Sequence, residues 1–141
     1  MSGHASGGVR LILRIEGFVV LVAGVWAYAR LGVSWTTFAL FFLAPDLSWL
    51  GYLLGPKVGA ITYNSAHSYI GALGCLTLGV LQSRPIALAA GLIWCTHIGL
   101  DRALGYGLKY STGFQYTHLG RIGRRLQSMS PSPTGSAPMP K

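Results

Sequence analysis

Acidic residues are scarce in this chain of 141 residues, and all three of them, Glu16, Asp46 and Asp101, fall inside apolar runs. His67, His97 and Asn64 sit in similar surroundings. Asn64 and His67 are spaced i, i+3 and His97 and Asp101 i, i+4, so each pair shares one face of a helix. Imidazoles and carboxylates on facing helices are the ligand types of a zinc, manganese or iron centre. Asp46, His67, His97 and Asp101 are therefore the candidate ligands of a divalent metal, with Tyr63 and Asn64 beside them to orient ligands or substrate. Glu16 is a candidate proton acceptor, and His118, in Thr117-His118-Leu119-Gly120, is placed to fold back over the mouth. A catalytic metal with one open position would polarise a carbonyl or phosphoryl oxygen and acidify a bound water. The plainer alternative is interhelical glue, worth about 0.6 kcal/mol per contact in membrane bundles. Glu16 would then snorkel or pair with Arg14, Asp101 would pair with Arg102, and His118 would be a surface histidine.

Four apolar segments must position these groups: 11–30, 34–54, 58–81 and 85–104, each near the roughly 20 residues that cross a bilayer. Hydrophobic residues make up 51% of the chain and charged residues 10%, whereas about a quarter of a soluble domain is charged. That balance excludes an ordinary cytosolic enzyme. It also excludes a nucleic-acid-binding domain, because the basic residues lie between apolar runs and not on one soluble face. The connections are very short, so neighbouring spans are antiparallel. The expected fold is all-α, an integral membrane four-helix antiparallel bundle, with no strands. The four-span domain runs over 10–125, ending in a cytoplasmic segment 105–125. Residues 1–9 and the Ser-, Pro- and Gly-rich stretch 126–141 are expected to be disordered.

Orientation follows from Lys and Arg near the span ends. Arg10, Arg14, Lys57, Arg102, Lys109, Arg121, Arg124 and Arg125 share one side, against Arg30 and Arg84 on the other. Both termini are expected in the cytoplasm of a bacterial inner membrane. Counting about 1.5 Å of rise per residue from the cytoplasmic ends puts Glu16 about 8 Å deep, Asp46 about 12, Asn64 about 9, His67 about 14, His97 about 11 and Asp101 about 5. The polar groups thus form one cytoplasmic-side layer. Ionisable groups in hydrocarbon are costly, so all three acids are expected to face inward. Pro45 predicts a kink in the second helix directly before Asp46. Cys75 and Cys95 differ in depth by about 12 Å and are expected not to pair. Small residues at Gly55/Gly59 and Gly71/Cys75/Gly79 suit close helix packing, within the monomer or in a homo-oligomer.

Ala44-Pro45-Asp46-Leu47-Ser48, Tyr63-Asn64-Ser65-Ala66-His67-Ser68 and Thr96-His97-Ile98-Gly99-Leu100-Asp101-Arg102, followed by Gly105-Tyr106-Gly107-Leu108-Lys109-Tyr110, resemble an uncharacterised bacterial membrane family, domain of unknown function 4260. The resemblance spans roughly 11–124 and implies no particular activity. The order Pro45-Asp46, His67-Ser68 and His97/Asp101 is more distantly similar to membrane-bound metal-dependent hydrolases. Ser48 and Trp49 stand where that family has a second Asp and a His, so this similarity implies one metal at most.

Three functions are compatible with the constellation. The first is a metal-dependent membrane hydrolase of a lipid-like or amphipathic small molecule. The second is a small proton- or cation-coupled transporter. The third is a metal-free enzyme in which one buried carboxylic acid protonates an isoprenoid or lipid alkene.

Overall fold

A computed structural model describes residues 5–112 and 114–122. The expected tail 126–141, the first four residues, and Arg124 and Arg125 lie outside the described residues. The elements are α1 (Gly7–Arg30), α2 (Trp35–Phe42), a 3-10 helix (Ala44–Leu54), α3 (Pro56–His67), α4 (Tyr69–Leu81) and α5 (Pro85–Leu104). The chain is all-helical, as expected, apart from a two-residue antiparallel ladder, β1 (Tyr116–Thr117) with β2 (Gly120–Arg121). Two stretches, Gly7–Arg30 and Trp35–Leu54, are long and apolar enough to cross a membrane, with mean hydropathies of 1.8 and 1.4.

Three expectations need correction. Residues 7–9 are helical, not disordered, and the Ala5 N–H donates to the His118 carbonyl at 2.7 Å. The second apolar segment is not one α-helix. Pro45 has no N–H to continue the ladder of α2, and the chain resumes as a 3-10 helix whose first turn closes from the Asp46 N–H to the Leu43 carbonyl at 3.1 Å. Side chains three apart eclipse in such a helix, and the sequence fits: Leu47, Leu50 and Leu53 form an exposed apolar stripe. The third segment is broken too, because Ser68 is extended (φ −93°, ψ 148°) between α3 and α4. The predicted kink is therefore a full break, and a second break faces it.

The core is built on α5. Antiparallel to it, α1 packs through glycines, and Gly17 and Gly99 let the two backbones meet. Ala72, Cys95 and Ile98 form a buried cluster among α1, α4 and α5, joined by Val20 and Leu76. Tyr28, Ala89 and Ile93 form another, against Phe38 and Phe42 of α2. By contrast, α3 packs chiefly on the 3-10 helix, where the Thr62 hydroxyl donates to the Ser48 carbonyl at 2.9 Å. Gly105, at φ 95°, ends α5 in the left-handed conformation that a glycine adopts without strain. The strap 105–122 then folds back on itself, with the His118 N–H donating to the Leu108 carbonyl at 3.1 Å and Leu119 fully buried. Both cysteines are free thiols.

Candidate functional site

Each break in a helix leaves backbone carbonyls without partners, and such groups must be satisfied inside an apolar body. At the end of α3, two side chains of α5 do this. Trp94 Nε1 donates to the Ala66 carbonyl at 2.5 Å, and Arg102 Nη2 donates to the His67 carbonyl at 3.1 Å. These bonds pin the last turn of α3, and with it His67, against the middle of α5. The break after α2 places Asp46 in the first turn of the 3-10 helix, facing the same point.

Three side chains meet there. Asp46, His67 and His97 each present a ligand atom, and the three atoms lie within 4.8 Å of one another. His67 Nε2 is 3.2 Å from His97 Nε2 and 3.4 Å from Asp46 Oδ1, and His97 Nε2 is also 3.4 Å from Asp46 Oδ1. Both imidazoles are buried, whereas the Asp46 side chain is 35% exposed and opens the cluster on one side.

The protonation of His67 decides what this point can hold. Its Nδ1 lies 3.0 Å from the Tyr63 carbonyl, which only accepts, so Nδ1 carries the proton. In the neutral ring Nε2 is then a lone pair. Around that lone pair stand His97 Nε2, Asp46 Oδ1 and, at 3.4 Å, Asp101 Oδ2. The His67 lone pair and the carboxylate oxygens repel one another at this range unless a proton, carried for instance on His97 Nε2, or a cation lies among them. A four-coordinate ion held at about 2.0–2.1 Å keeps its ligands about 3.3 Å apart along a tetrahedron's edge, and the observed separations of 3.2–3.4 Å match that spacing. The donor set, two imidazoles and a carboxylate, suits zinc, manganese or iron. Tyr63 stacks on the His67 ring with centroids 3.8 Å apart, and Phe42 packs against His97 at 5.3 Å, so both rings are fixed. His97 Nδ1 is buried without a partner among the described residues.

The other expected site residues take different places. Asp101 touches His67, but it does not belong to the mutually close trio, and its Oδ2 accepts from the Tyr63 hydroxyl at 3.1 Å. Asn64 does not reach the cluster. Its amide donates to the Lys109 carbonyl at 2.8 Å and accepts from the Lys109 N–H at 2.7 Å, clamping the strap to α3. His118 likewise holds the strap: its Nδ1 accepts from the Leu108 N–H at 2.9 Å, and Arg102 Nη1 lies 3.3 Å from its Nε2. Burial and the Arg102 guanidinium lower its basicity. Glu16 departs furthest, lying exposed on α1 beside Ile12, Ile15 and Val19 and apart from the cluster. The expectation that all three acids face inward fails there.

The sequence offers Arg102 as an orientation charge or a partner for Asp101 and Lys109 as an orientation charge, whereas the structure sets both in the surroundings of the site. Lys109 is 4% exposed, with Nζ 4.0 Å from the Phe114 ring and 5.0 Å from that of Tyr63. The clustering of Tyr106, Tyr110 and Phe114 around Lys109 in sequence was the available signal.

Residues 10–122 match the model of the family described as Domain of unknown function (DUF4260). No curated protein and no solved structure matches the chain.

Proposed function

The chain belongs to this family, and from that premise we propose that it is a metal-dependent membrane hydrolase acting on a lipid-like or amphipathic molecule. In this reading Asp46, His67 and His97 hold one divalent ion, which supplies Lewis-acid polarisation and an acidified water. The observation that carries it is the set of acceptor atoms converging on the His67 Nε2 lone pair. Asp101 stands one step outside and takes the proton of the attacking water, while the Tyr63 hydroxyl on its Oδ2 fixes its orientation. Tyr63 does double duty, because its carbonyl fixes the tautomer of His67, the usual arrangement behind a metal-binding imidazole.

A bilayer location is supported by the apolar side chains left on the outside. Phe18 and Val22 of α1, Leu40 of α2, Leu53 of the 3-10 helix, Ile70 of α4 and Ile86 of α5 are each more than half exposed. Four crossings, with α3 and α4 together making the third, put both termini on the Lys- and Arg-rich side, the cytoplasm of a bacterial inner membrane.

The test is elemental mass spectrometry on protein purified in detergent without chelator. About one zinc, manganese or iron per chain is expected, lost in His97→Ala and in Asp46→Ala and retained in Asp101→Asn, as expected for two first ligands and one outer partner. A wild-type protein that stays metal-free after reconstitution overturns the reading. One observation favours a second reading, a proton-coupled carrier: two interrupted helices meet at the polar centre, the architecture transporters use for their binding sites. In that case a proton lies among Asp46, His67 and His97, and substrate movement in vesicles depends on pH without any metal.

A further inference from the structure

A cleft of about 740 Å³ lies between α2 and α5. Its floor is formed by Pro45, Ala66 and Trp94. Pro45 and Ala66 directly precede Asp46 and His67 in the chain, and Trp94 lies about one helical turn before His97. The far end is formed by Val33, Pro85 and Ile86, at the turns that join α1 to α2 and α4 to α5. From Pro85 to Trp94 the cleft follows α5 for about 13 Å at 1.5 Å of rise per residue. Thr37 is the one hydroxyl-bearing residue on its walls, and the indole N–H of Trp94 is already used by the Ala66 carbonyl.

Moving a hydrocarbon chain from lipid into such a groove gains little from water release, because lipid tails are as apolar as the walls. The cleft therefore selects by shape and by what it delivers to its polar end. Asp46, His67 and His97 do not line the cleft themselves, but they stand next to its floor, Asp46 and His67 directly after Pro45 and Ala66 in the chain and His97 about one turn after Trp94. An amphiphile whose polar linkage is drawn in to these side chains must carry its tail further inward, and the cleft is the apolar space that continues in that direction.

We propose that the cleft is the channel for the single hydrocarbon chain of a membrane amphiphile, holding it so that the linkage between chain and polar head lies against Asp46, His67 and His97. This rests on taking that cluster as the reaction centre. The substrate class follows: a single-chain amphiphile, fatty-acyl or isoprenyl, entering sideways from the bilayer between α2 and α5. A two-chain lipid would engage only one of its tails.

The test uses the full chain in phosphatidylglycerol–phosphatidylethanolamine nanodiscs with a diazirine-bearing hexadecanoic acid, and in a parallel arm a diazirine-bearing farnesol. Photolabelling is mapped by peptide mass spectrometry. Label is expected within 33–45 and 85–94, saturable and competed by the unlabelled acid or alcohol; whichever probe labels there identifies the chain type. Ala90→Phe and Thr37→Phe, which fill the cleft from opposite walls at positions that are not fully buried, are each expected to lower cleft labelling by about tenfold, about 1.4 kcal/mol of affinity. Neither substitution should change metal content. Unsaturable label spread evenly over the outer faces of α1 and α4, or cleft labelling unchanged in both variants, overturns the proposal. Metal content of the same samples separates the two readings. Bound metal with no cleft label defeats the channel alone, and saturable cleft label without metal defeats the hydrolase while leaving the channel standing.

Discussion

Lys109 carries a positive charge into a nearly closed pocket of aromatic rings, and burial pulls its ammonium from the ordinary 10.5 down to about 8, with the Asp101 carboxylate opposing that shift. The unfolded chain keeps this proton up to about 10.5, whereas the folded chain releases it near 8. Between those values the unfolded state binds more protons, so the contribution of Lys109 to stability rises with pH over that window and is least below it. Thermal unfolding in detergent is expected to show a melting temperature that gains more between pH 8 and 9.5 in wild type than in Lys109→Met, in line with the depressed ammonium. Equal gains in the two proteins would mean that the charge is solvated. At this scale the sequence was informative about type and poor about partner. Apolar context and depth picked out Asp46, His67 and His97, because the rise per residue counted from the span ends puts all three in one layer. It misplaced Glu16, Asn64 and His118, whose roles depend on helix rotation and on how the strap folds, and neither leaves a periodic trace.

The elements owe their arrangement to two kinds of local signal. Close approach is one. A Cβ on Gly99 would meet the Gly17 carbonyl and the Leu21 amide of α1, both at 2.8 Å. These are backbone atoms that cannot rotate away, so Gly99→Ala must push α1 from α5. Overpacking of this kind costs about 1–3 kcal/mol. A lower melting temperature is expected, together with weaker metal retention, because His97 lies two residues away on the same helix. An unchanged melting temperature would show that the two helices are not in contact. Interruption is the other signal. Pro45 announced the first break, and the leucines at 47, 50 and 53 carried a period of three that distinguishes a 3-10 helix from an α-helix. The break at Ser68 had no such marker. Its residues are compatible with a continuous helix, and only the bonds from Trp94 and Arg102 to the freed carbonyls account for it.

Taken whole, the molecule buries His67, His97 and Lys109 and leaves leucine, isoleucine and phenylalanine side chains on the outside. The all-helical architecture was legible from composition and segment length. The division of two segments was not, since hydropathy averages over a break. Topology can be read directly from single-cysteine variants in which Cys75 and Cys95 have been replaced. In right-side-out bacterial vesicles a membrane-impermeant maleimide is expected to label Arg84→Cys without permeabilisation and Lys57→Cys only after it, following the bias of basic residues toward the cytoplasm. The reverse pattern would invert the orientation, and labelling of both without permeabilisation would remove the protein from the bilayer.

The hairpin of the 3-10 helix and α3 closes largely on itself and joins the rest of the chain at Leu43 and at Ser68. Those two joints lie immediately beside Asp46 and His67, while His97 belongs to α5. The polar centre is therefore a cross-brace, where side chains of the 3-10 helix, α3 and α5 converge beside the bonds from Trp94 and Arg102 that already tie the hairpin to α5. An occupant gripped by all three side chains would cross-link three elements, and by mass action it would stabilise the fold as its concentration rises.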